Sequence, residues 1–134
     1  DALAYWAACS GHTQYLLGEM IADEGWVVGC IAAMRDLLRD ACNLVTRRLD
    51  AGGVRCLPAE AGVFVLLDLR PFLADPTWEA ERVLWKKLVE EAGVNLTPGA
   101  ACHVSEPGFF RLCYAGQPIG TVEVGVERLL RVLA

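Results

Sequence analysis

The sequence predicts an α/β chain of the two-layer α+β kind, a small mixed or antiparallel sheet packed with helices. Three observations carry that expectation. A long amphipathic segment runs from Trp26 to Asp50, an apolar run without alternation covers Gly62 to Leu69, clean as far as Leu67, and a second strand-like run covers Phe109 to Ala115, with helical patterns between and after the strands. Hydrophobic residues make up 54% of the 134, and the mean hydropathy is +0.35. That is too apolar for disorder and sufficient for a packed core.

Taken in order, Ala2 to Ala8 reads as a helix without a beginning, which predicts further sequence upstream. Ser10-Gly11-His12 interrupts it, and Thr13 to Asp23 is again helical, with Tyr15, Leu16, Met20 and Ile21 nearly in register. In the long segment, Ile31, Met34, Leu38, Ala41, Val45 and Leu49 recur at helical spacing and form one stripe. Gly52-Gly53 is its stop. Val54 to Leu57 is a short strand ended by Pro58. The Gly62–Leu69 run lacks alternation, which predicts burial on both faces.

Thr77 is the expected N-cap of a helix from Trp78 to Ala92, stopped by Gly93. Its apolar face reads as Trp78, Leu84, Trp85, Leu88 and Val89, with Trp85 expected to be buried against the strand Val63 to Leu69. Val94 to Leu96 is a short strand. Thr121 is the expected cap of a last helix with Val122, Val126, Leu129, Leu130 and Leu133 inside and an i,i+4 pair, Glu127 and Arg131, outside. The long helix is placed to bridge two domains, residues 1–25 ending one and residues 26–134 forming the other.

Several function classes are disfavoured. The net charge is −5, the pI is about 5.0, and no basic patch interleaves with aromatics, which speaks against nucleic-acid binding. No apolar run reaches membrane-spanning length, and no basic segment followed by an apolar one opens the sequence as a signal peptide would. The six cysteines form no CxxC pair and have no zinc-ligand spacing with His12 or His103. They read as reduced thiols of a cytoplasmic protein, with Cys42 in a helix and Cys113 in an apolar strand as core residues.

Arg111 stands out within Phe109-Phe-Arg-Leu-Cys-Tyr-Ala115. An arginine in an apolar strand needs an anionic partner or water. An internal salt bridge or an edge strand is the simpler reading of the strand alone. A bidentate clamp for a ligand carboxylate or phosphate is the functional one.

Segments along nearly the whole chain resemble the 1-aminocyclopropane-1-carboxylate (ACC) synthases and their relatives, the class I and II aminotransferases among the fold-type-I pyridoxal-phosphate (PLP) enzymes. They are Thr13-Gln-Tyr-Leu-Leu17, Ala61-Gly-Val-Phe64 with Leu67-Asp-Leu-Arg-Pro71, Leu84-Trp85, Leu96-Thr-Pro-Gly99, and Glu106-Pro-Gly-Phe-Phe-Arg-Leu-Cys-Tyr-Ala115. The last is the most specific and is similar to the family's EPGWFRVCFA-like string. The resemblance implies the C-terminal portion of such an enzyme, with residues 1–25 from its large cofactor-binding domain and 26–134 as its small domain. It implies that Arg111 binds the substrate's α-carboxylate, which puts the clamp ahead of the salt bridge. It implies PLP in the parent protein, an amino-acid substrate, a missing N-terminal large domain and a homodimer.

The family's Schiff-base lysine string is not in this sequence. Lys86 and Lys87 lie beside acids on a helix and read as solvated surface, so no cofactor is expected on the isolated chain. Cys102 and His103 depart from the family's loop, and His103 reads as an exposed loop residue. Ser10 to Gln14 falls where family members approach a neighbouring subunit's site. The reaction stays open between ACC-type C–S cleavage of S-adenosylmethionine, a cysteine-type C–S lyase and transamination. A stand-alone, non-catalytic binding or assembly domain is the competing class.

Overall fold

The structure, a computed structural model, describes residues 9–134, so the helical reading of Ala2 to Ala8 lies outside it. The chain divides into a first unit ending at Leu37 and a second, Leu38–Ala134. The first contains α1 (Gly11–Ala22) and the start of α2 (Glu24–Ala51). Ser10 caps α1, its Oγ accepting the Thr13 N–H at 3.3 Å. Asp23 separates the two helices, and its carboxylate accepts the Trp26 N–H at 2.9 Å. α1 buries no side chain, and Tyr15, Leu16 and Ile21 are exposed. The stripe on α2 is a single helical face, but only Val45 and Leu49 are fully buried, while Ile31 and Met34 are exposed. The core of the second unit reaches only the C-terminal part of that stripe.

The second unit is built on four antiparallel strands in the order β1-β2-β4-β3: β1 (Arg55–Cys56), β2 (Phe64–Asp68), β3 (Thr97–Pro98) and β4 (Phe109–Cys113). β2 and β4 pair from Phe64↔Cys113 to Asp68↔Phe109. Period-two alternation sends Val65, Leu67, Phe110 and Leu112 to one face. There they join Val45 and Leu49, Leu84 and Leu88 of the α3 segment, and Val126 and Leu129 of α4 (Ile119–Leu133) in one core. The opposite face carries Phe64, Leu66 and Arg111. The expected burial of β2 on both faces is therefore corrected, since Phe64 is 43% exposed. The helical residues of the core pack with Val65, Leu67, Phe110 and Leu112, and an apolar run without alternation does not reveal how many layers cover a strand.

The helix after Thr77 is α3 (Trp78–Lys87), continued by one π-turn over Leu88–Ala92 and ended by Gly93 at φ 65. Thr77 is the cap, its side chain accepting the Ala80 N–H at 3.2 Å. The buried arc is Glu81, Leu84, Leu88 and Ala92, rotated away from the expected face. Trp78 is 43% exposed and Val89 is exposed. Trp85 is half-buried at the core's edge, and its indole N–H donates to the Leu96 carbonyl at 3.0 Å and to Asn95 Oδ1 at 3.2 Å. Counting only apolar side chains skips Glu81 and so misplaces the face. The Trp85 bond also turns the Leu96 carbonyl toward the indole, and β3 begins at Thr97 instead of Val94.

α4 begins two residues before the expected cap. Pro118 is its N-cap, and Thr121 lies inside the first turn with its N–H on the Pro118 carbonyl at 2.8 Å. The expected pair of Glu127 with Arg131 is corrected: Arg48 of α2 reaches both Glu127 and Glu123 at 2.8 Å and ties the two helices together. Among the described residues, no helix is long and apolar enough to cross a membrane.

At the end of β2, Arg70 grips Asp68 with two hydrogen bonds, Nε to Oδ1 at 2.8 Å and Nη2 to Oδ2 at 2.7 Å, and reaches Glu106 at 3.1 Å. Its guanidinium also lies 4.6 Å from the centre of the Phe109 ring. The hydrogen bonds from Arg70 hold the Asp68 carboxyl below its usual range, against the opposing effect of burial. This fork joins the end of β2 to the residues preceding β4.

Two outcomes are expected. Phe110→Ala, at a fully buried site, costs about 3–5 kcal/mol in chemical denaturation, whereas Trp78→Ala, at an exposed one, stays within about 0.5 kcal/mol. Because folding lowers the Asp68 pKa, its stabilising contribution is complete above the ordinary value of 3.8 and is lost as the pH falls through the lowered one. Asp68→Asn should therefore flatten the loss of stability on acidification below about pH 4, measured as melting temperature against pH; an unchanged acid profile would contradict the role assigned to this pair.

Candidate functional site

The sheet face opposite the core is the chemically distinctive surface. Strand pairing places Arg111 between Leu66 on β2 and Thr97 on β3, in the interior of the sheet and not at an edge. Phe64 lies diagonally across from it, because its direct partner is Cys113 two residues on. The Arg111 guanidinium carbon sits 4.5 Å from the centre of the Phe64 ring. A cation over an aromatic face is attracted by the ring's quadrupole, and the ring shields one side of the guanidinium plane.

Arg111 is half-buried. Its Nε is buried and has no hydrogen-bond partner, and among the described residues no carboxylate pairs with the guanidinium. The contrast with Arg70 on the same sheet is direct. Arg70 has two acids and a ring, while Arg111 has the Phe64 ring and no acid among the described residues. A planar fork held by an aromatic platform, with no internal anion, is suited to an external planar anion such as a carboxylate.

Within the second unit, neither the lysines nor His103 is brought to this face. Lys86 and Lys87 are exposed on α3, and Lys87 Nζ donates to the Val132 carbonyl at 3.3 Å. Neither is desolvated as an imine-forming lysine must be. His103 is exposed at the end of the 3-10 turn Gly99–Cys102, in the left-handed region at φ 55. Ser10 and Thr13 bond one another at 2.9 Å, and Gln14 donates to the Cys9 carbonyl at 2.8 Å, all within the first unit. Cys113 is exposed on the Arg111 face, which corrects its reading as a core thiol. Burial pushes the half-buried Cys56 thiol up to about 11, with the nearby Asp50 adding to the shift.

Two features escaped the sequence reading. Phe64 was placed only as part of a strand, since nothing in its local sequence shows that it meets Arg111. Glu81 of α3 carries no signal in its local sequence, yet it is 1% exposed, and its carboxylate accepts the Ala100 N–H at 3.0 Å and the Gly108 N–H at 2.7 Å. Elsewhere, a cavity of about 320 Å³ opens between Asn95, Leu112, Gln117 and Val126. No charged side chain lines it and Arg111 does not reach it, so it offers no counterpart to an anion.

Comparison with known proteins agrees with this architecture. The family model for aminotransferases of class I and II matches residues 2–129. The ACC synthase CMA101 of Cucurbita maxima is 38% identical over 120 residues, covering 90% of this chain and 25% of the relative. ACC synthase 11 of Arabidopsis thaliana is also 38% identical, covering 90% and 26%. Among solved structures, an aromatic aminotransferase from Pyrococcus horikoshii superposes with a TM-score of 0.76 over 90% of this chain and 30% of that one, at 23% identity, a likeness of fold. The Thermus thermophilus aspartate aminotransferase with maleate gives 0.72 over 85% and 28%, at 25% identity. The chain spans about a quarter of the length of the curated relatives it matches. With the match running almost end to end and the same sheet and helices in the solved relatives, the chain belongs to the aminotransferase class I and II family.

Proposed function

We propose that this chain is the carboxylate-binding part of a longer PLP-dependent enzyme that acts on an amino acid, and that Arg111 grips the substrate's α-carboxylate. The observation that carries the reading is an arginine inside the sheet with an aromatic platform and no acidic partner among the described residues, within the Glu106–Ala115 string that resembles the family's. A bidentate contact fixes the rotation of the carboxylate and so the direction of the bonds at the neighbouring carbon.

The family is PLP-dependent, and the bound cofactor supplies an acceptor for electrons released at that carbon. The residues of this chain do not themselves fit the cofactor, because both lysines are solvent-exposed on α3. The longer protein is proposed to provide its lysine and phosphate contacts. The exposed Tyr15, Leu16 and Ile21 of α1 support a covering surface there, with residues 1–25 belonging to a large domain and 26–134 to a small one. Identities of 38% with ACC synthases against 25% with an aspartate aminotransferase favour C–S cleavage of a substrate like S-adenosylmethionine over transamination.

In the full-length protein, Arg111→Lys keeps the charge and removes the fork. Substrate affinity, followed by the absorbance of the bound cofactor, should fall about tenfold to a hundredfold while cofactor affinity is unchanged. Unaltered substrate affinity would remove Arg111 from this role. The isolated chain, mixed with PLP and reduced with borohydride, should carry no stoichiometric adduct; a single labelled lysine at position 86 or 87 would contradict the assignment of the cofactor site to the rest of the protein.

A further inference from the structure

We propose that Glu81 is a positioning residue for Arg111, fixing the connection between β3 and β4 so that the guanidinium keeps its aim. The inference rests on the reading of Arg111 as the carboxylate clamp.

The ladder that holds β3 beside Arg111 is thin. It consists of Thr97↔Arg111 and Pro98↔Phe110, and proline has no N–H to give. Two residue pairs are a weak constraint on a connection that runs from Gly99 to Gly108. Glu81 supplies what the ladder lacks. One carboxylate oxygen takes the N–H of Ala100, just after β3, and the other takes the N–H of Gly108, just before β4. Both ends of the connection are thus tied to one side chain of α3.

The position of Glu81 is costly unless those bonds are made. A buried carboxylate loses its hydration, and among the described residues no cation pairs with it. An apolar side chain would fill the same space and leave two N–H groups without acceptors. The surrounding packing leaves little slack. A β-carbon on Gly99 would fall 2.8 Å from the Phe109 carbonyl oxygen and 3.2 Å from Glu81 Oε2. One on Gly108, which has φ +101, would fall 2.6 Å from Arg70 Cγ. Gly108 also accepts the Leu69 N–H through its carbonyl at 2.8 Å. The carboxylate therefore holds the point where β2, the Arg70 fork and the start of β4 meet, three residues before Arg111.

The test is a double-mutant cycle in the full-length, cofactor-loaded protein: wild type, Glu81→Gln, Arg111→Lys and both together. S-adenosylmethionine and, in parallel, L-aspartate are titrated against the cofactor's absorbance, and kcat, melting temperature and amide exchange at Ala100 and Gly108 are recorded. Glu81→Gln keeps the shape but turns an N–H toward one of the two backbone donors. It should speed exchange at one of those amides and weaken amino-acid binding about tenfold, with kcat and cofactor affinity nearly unchanged. In the Arg111→Lys background, the same change should weaken binding by less than about twofold. Equal weakening in both backgrounds, or none in the wild type, overturns the proposal. If Arg111→Lys alone leaves affinity intact, the clamp reading fails and this inference falls with it. Should Glu81→Gln not yield folded protein, Glu81→Asp, one methylene shorter, carries the same cycle.

Discussion

The pairing of β2 with β4, running from Phe64↔Cys113 to Asp68↔Phe109, sets the geometry of the rest of the second unit. It is the longest ladder in the sheet, and its register decides what each face contains. A slip of one residue would send Arg111 into the core and Phe110 out of it. In the observed register, Val65, Leu67, Phe110 and Leu112 meet the helices, and the guanidinium meets Phe64 on the other side.

The two faces differ in kind. The core face is held by apolar burial, which is strong and non-directional. The other is organised by directional contacts, the Arg70 fork on Asp68 and the Arg70 and Arg111 stacks on Phe109 and Phe64, while Glu81 of α3 ties the connection beside β4 from within the second unit's interior. A functional group that must grip a ligand in a fixed orientation needs that second kind of support. Of the two arginines, Arg111 is the one without an acidic partner among the described residues.

Where local chemistry decides an outcome, the sequence was informative. Thr77 caps α3 and Gly93 ends its continuation, because an N-cap hydroxyl and a left-handed glycine act within a few residues. Thr121 failed as a cap because Pro118, with its fixed φ, had already begun α4. The apolar face of α3 differs from the expected one because a count of apolar side chains leaves out Glu81, whose backbone N–H donors lie 19 and 27 residues away.

The sequence by itself determined the class of fold, the strands bearing Phe64 and Arg111, and, through the Glu106–Ala115 string, a resemblance to one enzyme family. Those follow from periodicity and short-range patterns, which are properties of neighbours along the chain. Tertiary structure decided which strand pairs with which, which sheet face meets the core helices, that Phe64 lies under Arg111 across 47 residues of sequence, and that Glu81 is buried. These depend on contacts between distant segments, whose partners are chosen by the packing of the whole unit and not by any local run of residues.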